Sequence, residues 1–257
     1  MRPLKITLCQ LNMTWENPAV NREILDRKFY QLSNSTNLVI LPEMFTTGFT
    51  MEPEKHAETM DGPTIHWMTK KAITINACIT GSIIIEENGK YFNRLIWAQP
   101  DGRVFTYDKR HLFTMVDEGK HYSQGSERVI IEYKGWRIAP FICFDLRFPA
   151  WVRNTKEVDF QFFVANWPDK RVEHWKALLK ARAIENQVYI AGVNRYGYDG
   201  NKIYHSGASS VYDPMGECLT EINHAETFIT LELNKEKIEK TRRHMPFLNE
   251  QDTFEIV

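Results

Sequence analysis

The chain lacks most of the features that would announce a function by themselves. Within its 257 residues no apolar run approaches the length of a membrane-crossing helix. The opening Met1-Arg-Pro-Leu-Lys-Ile-Thr-Leu-Cys9 has too short an apolar segment for a signal peptide and no small-residue cleavage site. Its four cysteines, Cys9, Cys78, Cys143 and Cys218, are far apart without any CxxC pair, so they read as separate free thiols of a cytoplasmic protein. There is no Lys/Arg-dense stripe and the formal net charge is only −1, which argues against nucleic acid as a partner. No HExxH, P-loop or dinucleotide fingerprint occurs, and Gly207-Ala-Ser-Ser-Val211 ends wrongly for a serine nucleophile elbow. Low-complexity segments, repeats and Pro/Gly-rich linkers are also missing. What remains is an ordinary globular composition, 43% hydrophobic and 25% charged, able to bury a core without disulfides.

The apolar pattern alternates between strands and helices. Lys5–Leu11 alternates like a strand, and Asn17-Pro18 opens a helix to Leu32 with Val20, Ile24, Leu25, Phe29 and Leu32 on one stripe. Short buried strands are expected at Asn37–Pro42, Trp136–Ile142, Asp159–Ala165 and Val188–Val193, with further strands at Gly207–Val211 and Thr227–Leu233. Helices are expected over Thr64–Asn76 and Val172–Gln187. Between them, Asn88-Gly89 and Asp101-Gly102 separate three β segments as hairpin turns. This pattern predicts one α/β domain over residues 1–257, with two sheets face to face and helices outside. Residues 234–257 form a tail with a short helix, expected to fray or to dock on a partner subunit.

The most informative stretch is Phe141-Ile-Cys-Phe-Asp-Leu-Arg-Phe-Pro149. It places Cys143 between a buried strand and a predicted helix opening near Pro149, where a helix N-terminus lowers the cost of a thiolate. A lone cysteine is usually core filling, so Cys143 needs partners. Two other strand ends offer them: Glu43 follows Leu38-Val-Ile-Leu-Pro42, and Lys109 follows Arg103-Val-Phe-Thr-Tyr-Asp108. A thiol, a carboxylate and an ammonium at three strand ends suit acyl transfer through a thioester. Taken singly, Glu43 also fits a simple cap and Lys109 a solvated loop lysine. His111 and His174 have no neighbouring Asn or Asp in sequence that marks either as the base.

Leu41-Pro-Glu-Met-Phe45, Asp108-Lys-Arg-His-Leu112 and Ile142-Cys-Phe-Asp-Leu-Arg-Phe-Pro149 resemble, in order, the three signature blocks of the nitrilase (carbon–nitrogen hydrolase) superfamily. The resemblance extends through Ala165-Asn-Trp-Pro168, His174–Gln187, Gly192-Val-Asn-Arg195 and Gly207–Gly216, nearly the whole chain. It implies a four-layer αββα sandwich, a homodimer, and a Glu–Lys–Cys triad that needs neither metal nor organic cofactor. By motif, Glu43 is the base, Lys109 the oxyanion partner and Cys143 the nucleophile. A second glutamate of that family maps to Glu118, seven residues before Gly125, although Met115–Tyr122 departs from the commoner proline-glycine form of that loop.

The segments around Cys143 and Asn166-Trp-Pro-Asp-Lys-Arg171 are similar to the omega-amidase branch. That similarity implies hydrolysis of the terminal amide of small dicarboxylate monoamides, 2-oxoglutaramate and 2-oxosuccinamate, with water as the second substrate. Such a substrate needs a cation for its far carboxylate, for which Arg147, Lys170 and Arg171 are candidates. Arg147 fits equally well as a brace to Asp145. Phe49, Phe144 and Trp167 are candidates for the apolar middle of the pocket. An N-carbamoyl amine or aliphatic nitrile as substrate, and a non-catalytic thiol-bearing binding protein of the same fold, remain the alternatives.

Overall fold

The computed structural model describes residues 3–29, 32, 36–155 and 158–256. Its apolar runs become the strands β1 (Leu4–Gln10), β2 (Leu38–Ile40), β3 (Cys78–Glu87), β4 (Lys90–Ala98), β5 (Val104–Asp108), β6 (Ile131–Tyr133) and β7 (Trp136–Ile142). They continue as β8 (Phe160–Ala165), β9 (Tyr189–Asn194), β10 (Tyr196–Tyr198), β11 (Tyr204–Tyr212), β12 (Cys218–Asn223) and β13 (Thr227–Leu233). The helices are α1 (Pro18–Phe29), α2 (Pro53–His56), α3 (Pro63–Ile75), α4 (Glu118–His121), α5 (Pro149–Val152), α6 (Val172–Asn186) and α7 (Lys235–His244).

One sheet runs β13-β1-β2-β3-β4-β5 and the other β10-β11-β9-β8-β7-β6, with β12 on β11. In each, the central strands are parallel: β1-β2-β3 in the first and β7-β8-β9 in the second. Such strands are buried on both faces and read as continuous apolar runs. For this reason β1 departs from the expected alternation, exposing only Lys5. The hairpin between β3 and β4 turns through Asn88 and Gly89 at φ 53° and 73°, the pair of positive angles that a two-residue turn requires.

The sheets pack face to face, with Ile6, Leu8 and Trp97 of the first against Phe160, Phe162 and Val164 of the second. Trp97 and Phe162 bring their ring centroids to 6.2 Å. Truncating either ring to alanine would cost about 3–5 kcal/mol. On the outer face of the first sheet, Leu25 and Phe29 of α1 and Met68 and Ala72 of α3 cover Cys9, Val39 and Ile79. Helix α6 lies over the second sheet, and Gly192 allows its close approach: a Cβ there would sit 2.4 Å from Leu179 and 2.5 Å from Trp175. The result is the expected α-β-β-α layering.

The expected helix to Leu32 is seen as α1 over Pro18–Phe29; Tyr30 and Gln31 lie outside the described residues. Helix α7 is capped by Asn234, whose side chain accepts from Glu236 N, and carries Arg242, Arg243 and His244 in its last turn. It packs on its own chain: Arg242 donates to the Val158 carbonyl at 2.6 Å and Gln187 to that of Met245 at 2.7 Å. Among the described residues no helix is long and apolar enough to cross a membrane.

Candidate active site

The carboxyl ends of four strands converge where the two sheets meet. Glu43 follows β2, Lys109 follows β5, Cys143 follows β7 and Asn166 follows β8. Glu43 and Lys109 are fully buried. Glu43 Oε1 accepts from Lys109 Nζ at 2.9 Å and from Asn93 Nδ2 at 2.8 Å. Its Oε2 accepts the Asn166 backbone N–H at 2.8 Å. A buried carboxylate with this many donors is held in one orientation.

Glu118, also fully buried, accepts from Lys109 Nζ at 3.0 Å through each of its oxygens. The Phe113 N–H adds a further bond to Oε2 at 2.5 Å. The loop that carries Glu118 is tied back beside Lys109 by Gly125, whose N–H donates to the Lys109 carbonyl at 2.9 Å. A side chain at Gly125 would meet the Asp108 carbonyl oxygen at 2.3 Å, so the loop needs glycine there. The Phe49 ring sits 4.8 Å from Lys109 Nζ and closes the ammonium off from another side.

The electrostatics follow from this crowding. Burial works against the Lys109 charge, but Glu118 and Glu43 outweigh it and hold the ammonium well above the ordinary lysine range. Burial, and then the Glu43 charge, push the Glu118 carboxyl up against the pull of Lys109. The Cys143 thiol is raised well above its ordinary value by burial and by the nearby Glu43 carboxylate, while Lys109 and the Asn166 backbone oppose the shift. Burial and the Glu43 charge thus favour the thiol form of Cys143 over the thiolate. This corrects the expectation of a thiolate favoured by a helix N-terminus. Cys143 begins a short 3-10 turn over Cys143–Arg147, and the helix after it, α5, is only four residues long. Cys143 itself takes φ 44°, in the left-handed region, which turns it off the strand axis.

Cys143 and Lys109 form the floor of a cavity of about 520 Å³. Its walls include all the residues expected to bind substrate: Phe49, Phe144, Arg147, Trp167, Lys170 and Arg171. Arg147 lies over the Trp167 ring at 4.7 Å and donates to His174 Nδ1 at 3.2 Å. It does not brace Asp145, because both oxygens of that buried carboxylate are taken by Tyr107, His111 and the Ile142 N–H. Burial and the nearby Arg171 hold the Arg147 guanidinium below its ordinary value. His111, which no Asn/Asp arrangement in sequence marked as a base, pairs in space with Asp145 at 2.8 Å.

Glu118 is not a solvated loop acid, and Glu43 is more than a cap. Asn93, Asn166 and Asp145 escaped notice in the sequence as site residues. Asn166 carried the same signal as Glu43, a polar residue closing a continuous apolar strand. Asn93 carried a weaker one, an amide inside the run that continues into Leu95-Ile-Trp97.

The carbon-nitrogen hydrolase pattern matches residues 5–243. The chain belongs to the carbon–nitrogen hydrolase family. This carbon–nitrogen hydrolase is 44% identical over 257 residues, covering 100% of both chains, to omega-amidase YafV of Escherichia coli (strain B / BL21-DE3). It is 30% identical over 250 residues to the 2-oxoglutaramate amidase of Bacillus subtilis (strain 168), covering 95% of this chain and 96% of that one. Among solved structures it resembles XC1258 from Xanthomonas campestris, a CN-hydrolase superfamily protein with an arsenic adduct in its active site. The TM-score is 0.97, with 42% identity and coverage of 100% of both chains. The expectation of an omega-amidase-like hydrolase of the nitrilase superfamily is met.

Proposed function

We propose that this hydrolase cleaves the terminal carboxamide of small dicarboxylate monoamides, 2-oxoglutaramate and 2-oxosuccinamate, to the acid and ammonia through a thioester on Cys143. The observation that carries the substrate class is Arg147. Its half-buried guanidinium shares a cavity with Cys143, stacks on Trp167 and, among the described residues, has His174 and no carboxylate as its polar partner. A guanidinium without an acidic partner at that position suits the far carboxylate of the substrate. Arg171, over the Phe113 ring at 5.4 Å, adds positive charge to the same wall. The names of the similar omega-amidase and 2-oxoglutaramate amidase support the same class.

The chemistry follows from the resting thiol. Glu43 takes the Cys143 proton as sulfur attacks the amide carbon, so a free thiolate need not accumulate. The carbonyl oxygen gains the negative charge and is held by the Lys109 ammonium and the Phe144 backbone N–H. Glu43 returns its proton to nitrogen, the C–N bond breaks and ammonia leaves the thioester. Water then gives a proton to Glu43 and attacks the thioester carbon; the C–S bond breaks and the proton returns to sulfur. Glu118 keeps Lys109 charged and aimed throughout.

The enzyme is proposed to work as a cytoplasmic homodimer with the part of residues 234–257 beyond α7 against the partner, which light scattering of the full chain and of a chain truncated after Met245 tests. The substrate test is ammonia release from the two oxo-acid amides, with glutamine, asparagine, an N-carbamoyl amine and an aliphatic nitrile as controls, beside Cys143→Ala. Rapid release from the oxo-acid amides, lost in the variant, is expected. Activity confined to a control would overturn the substrate class but keep the thiol chemistry. Silence on every compound would favour the binding-protein alternative.

A further inference from the structure

The buried carboxylate of Asp145 lies outside the cavity wall, yet it joins the two segments that carry Cys143 and Lys109. Its Oδ2 accepts the Ile142 N–H at 3.1 Å, closing the turn around the left-handed Cys143 from behind. Its Oδ1 accepts the His111 backbone N–H at 2.9 Å and pairs with His111 Nδ1 at 2.8 Å, two residues beyond Lys109. Tyr107, two residues before Lys109, donates its hydroxyl to Oδ2 at 2.7 Å and accepts from Trp151 Nε1 at 2.9 Å. One carboxylate therefore holds the backbone just after Lys109, the Tyr107 side chain just before it and the backbone entering Cys143. The His111 ring also stacks on Phe148 at 3.7 Å, and Phe148 meets the cavity residue Phe144 edge-on at 5.1 Å.

We propose that Asp145 is a positioning residue that sets the nucleophile against the Lys109 ammonium and acts on the reaction only through them. The proposal rests on Cys143 being the nucleophile. The left-handed backbone at Cys143 is one that a cysteine rarely adopts unaided, and the Asp145 clamp is what the turn offers to keep it there. Four donors converge on this carboxylate, and an amide in its place accepts through one atom only. Asparagine thus keeps the volume and loses part of the clamp.

The test compares Asp145→Asn, Tyr107→Phe and Asp159→Asn in the full-length enzyme. Asp159 is an equally buried carboxylate remote from the site, accepting the Arg137 N–H at 2.9 Å and paired with Lys235 at 2.8 Å. Asp145→Asn should lower kcat by about 10- to 100-fold with KM nearly unchanged, since displacements of about 1 Å at a reacting group are costly. Alkylation of Cys143 by iodoacetamide, read on its own peptide by mass spectrometry, should slow in step. Tyr107→Phe, the milder variant, should lower kcat by about tenfold. Asp159→Asn should lower Tm and leave kcat and the alkylation rate alone. Wild-type kcat and alkylation in a folded Asp145→Asn, or in Tyr107→Phe where Asp145→Asn does not fold, would overturn the proposal. So would an equal loss in Asp159→Asn, which would point to general loosening. Retained activity in Cys143→Ala would instead remove the nucleophile assignment underneath it.

Discussion

Asn166 grips Glu43 from the opposite sheet: its side-chain amide donates to the Glu43 main-chain carbonyl at 2.7 Å while its backbone N–H reaches the carboxylate at 2.8 Å. The end of β8 is thereby fastened to the end of β2, and the proposed base is oriented by a residue that also borders the cavity. Replacing Asn166 by alanine leaves the Glu43 carbonyl without this donor. The expected outcome is a stability loss of about 1–3 kcal/mol in urea denaturation. On the proposed chemistry, kcat falls by about 10²-fold as well.

Among the described residues Lys109 is the lone cation bonded to the fully buried carboxylates of Glu43 and Glu118. Lys109→Met therefore strands both, and should destabilise the fold by about 3–5 kcal/mol besides abolishing turnover. Adding Glu118→Gln removes one stranded charge and should recover part of that loss without recovering activity. A denaturant series on the wild type and the single and double variants checks this. A double variant no more stable than Lys109→Met would show that charge stranding is not the cause.

The left-handed backbone of Cys143 makes a separate prediction. Alanine inherits the strain and glycine does not, so Cys143→Gly should be as stable as Cys143→Ala or more stable by up to about 1 kcal/mol. Both should be inactive. Thermal melts of the pair measure the difference without any contribution from catalysis.

If Arg147 holds the far carboxylate, Arg147→Gln should raise KM for 2-oxoglutaramate by about 10- to 100-fold, the worth of a charge-assisted bond. Hydrolysis of an amide without that carboxylate should change little. Equal losses on both substrates would assign Arg147 to shaping the wall.

His205, on the same cavity wall, has its pKa lowered from 6.5 to about 4 by burial and then by the Arg195 charge. A depressed folded-state value means that the neutral form belongs to the fold. Stability is therefore full above pH 6.5 and is lost as pH falls toward about 4, by about 3 kcal/mol in all. His205→Asn should flatten the Tm profile across that window, which calorimetry at stepped pH would show.

Much of the architecture was readable because strands buried on both faces must be apolar along their whole length. β2, β7, β8 and β9 announced themselves in this way, as did α6 through its stripe of Trp175, Leu179 and Ala183. The strands β6 and β10 were not legible, since Ile131-Glu-Tyr133 and Tyr196-Gly-Tyr198 carry no continuous apolar run. β12 is largely exposed and lacks an apolar face. The expected helix after Cys143 shrank to one turn, because Asp145 is drawn to Tyr107 and His111 and closes a tighter 3-10 turn first.

By itself the sequence determined which residue types stand at the ends of the buried strands: a carboxylate at 43, an ammonium at 109, a thiol at 143 and an amide at 166. That information is local, since hydrophobic patterning marks where a strand stops. Only the tertiary structure decided that these ends meet, that Glu118 returns 9 residues along the chain to share Lys109, and that Arg147 faces the cavity and leaves Asp145 to other partners. It also decided the state of the thiol, because desolvation and charge act through space. Cys143 lies 100 residues from Glu43 in sequence, yet the Glu43 charge acts on its thiol in the fold.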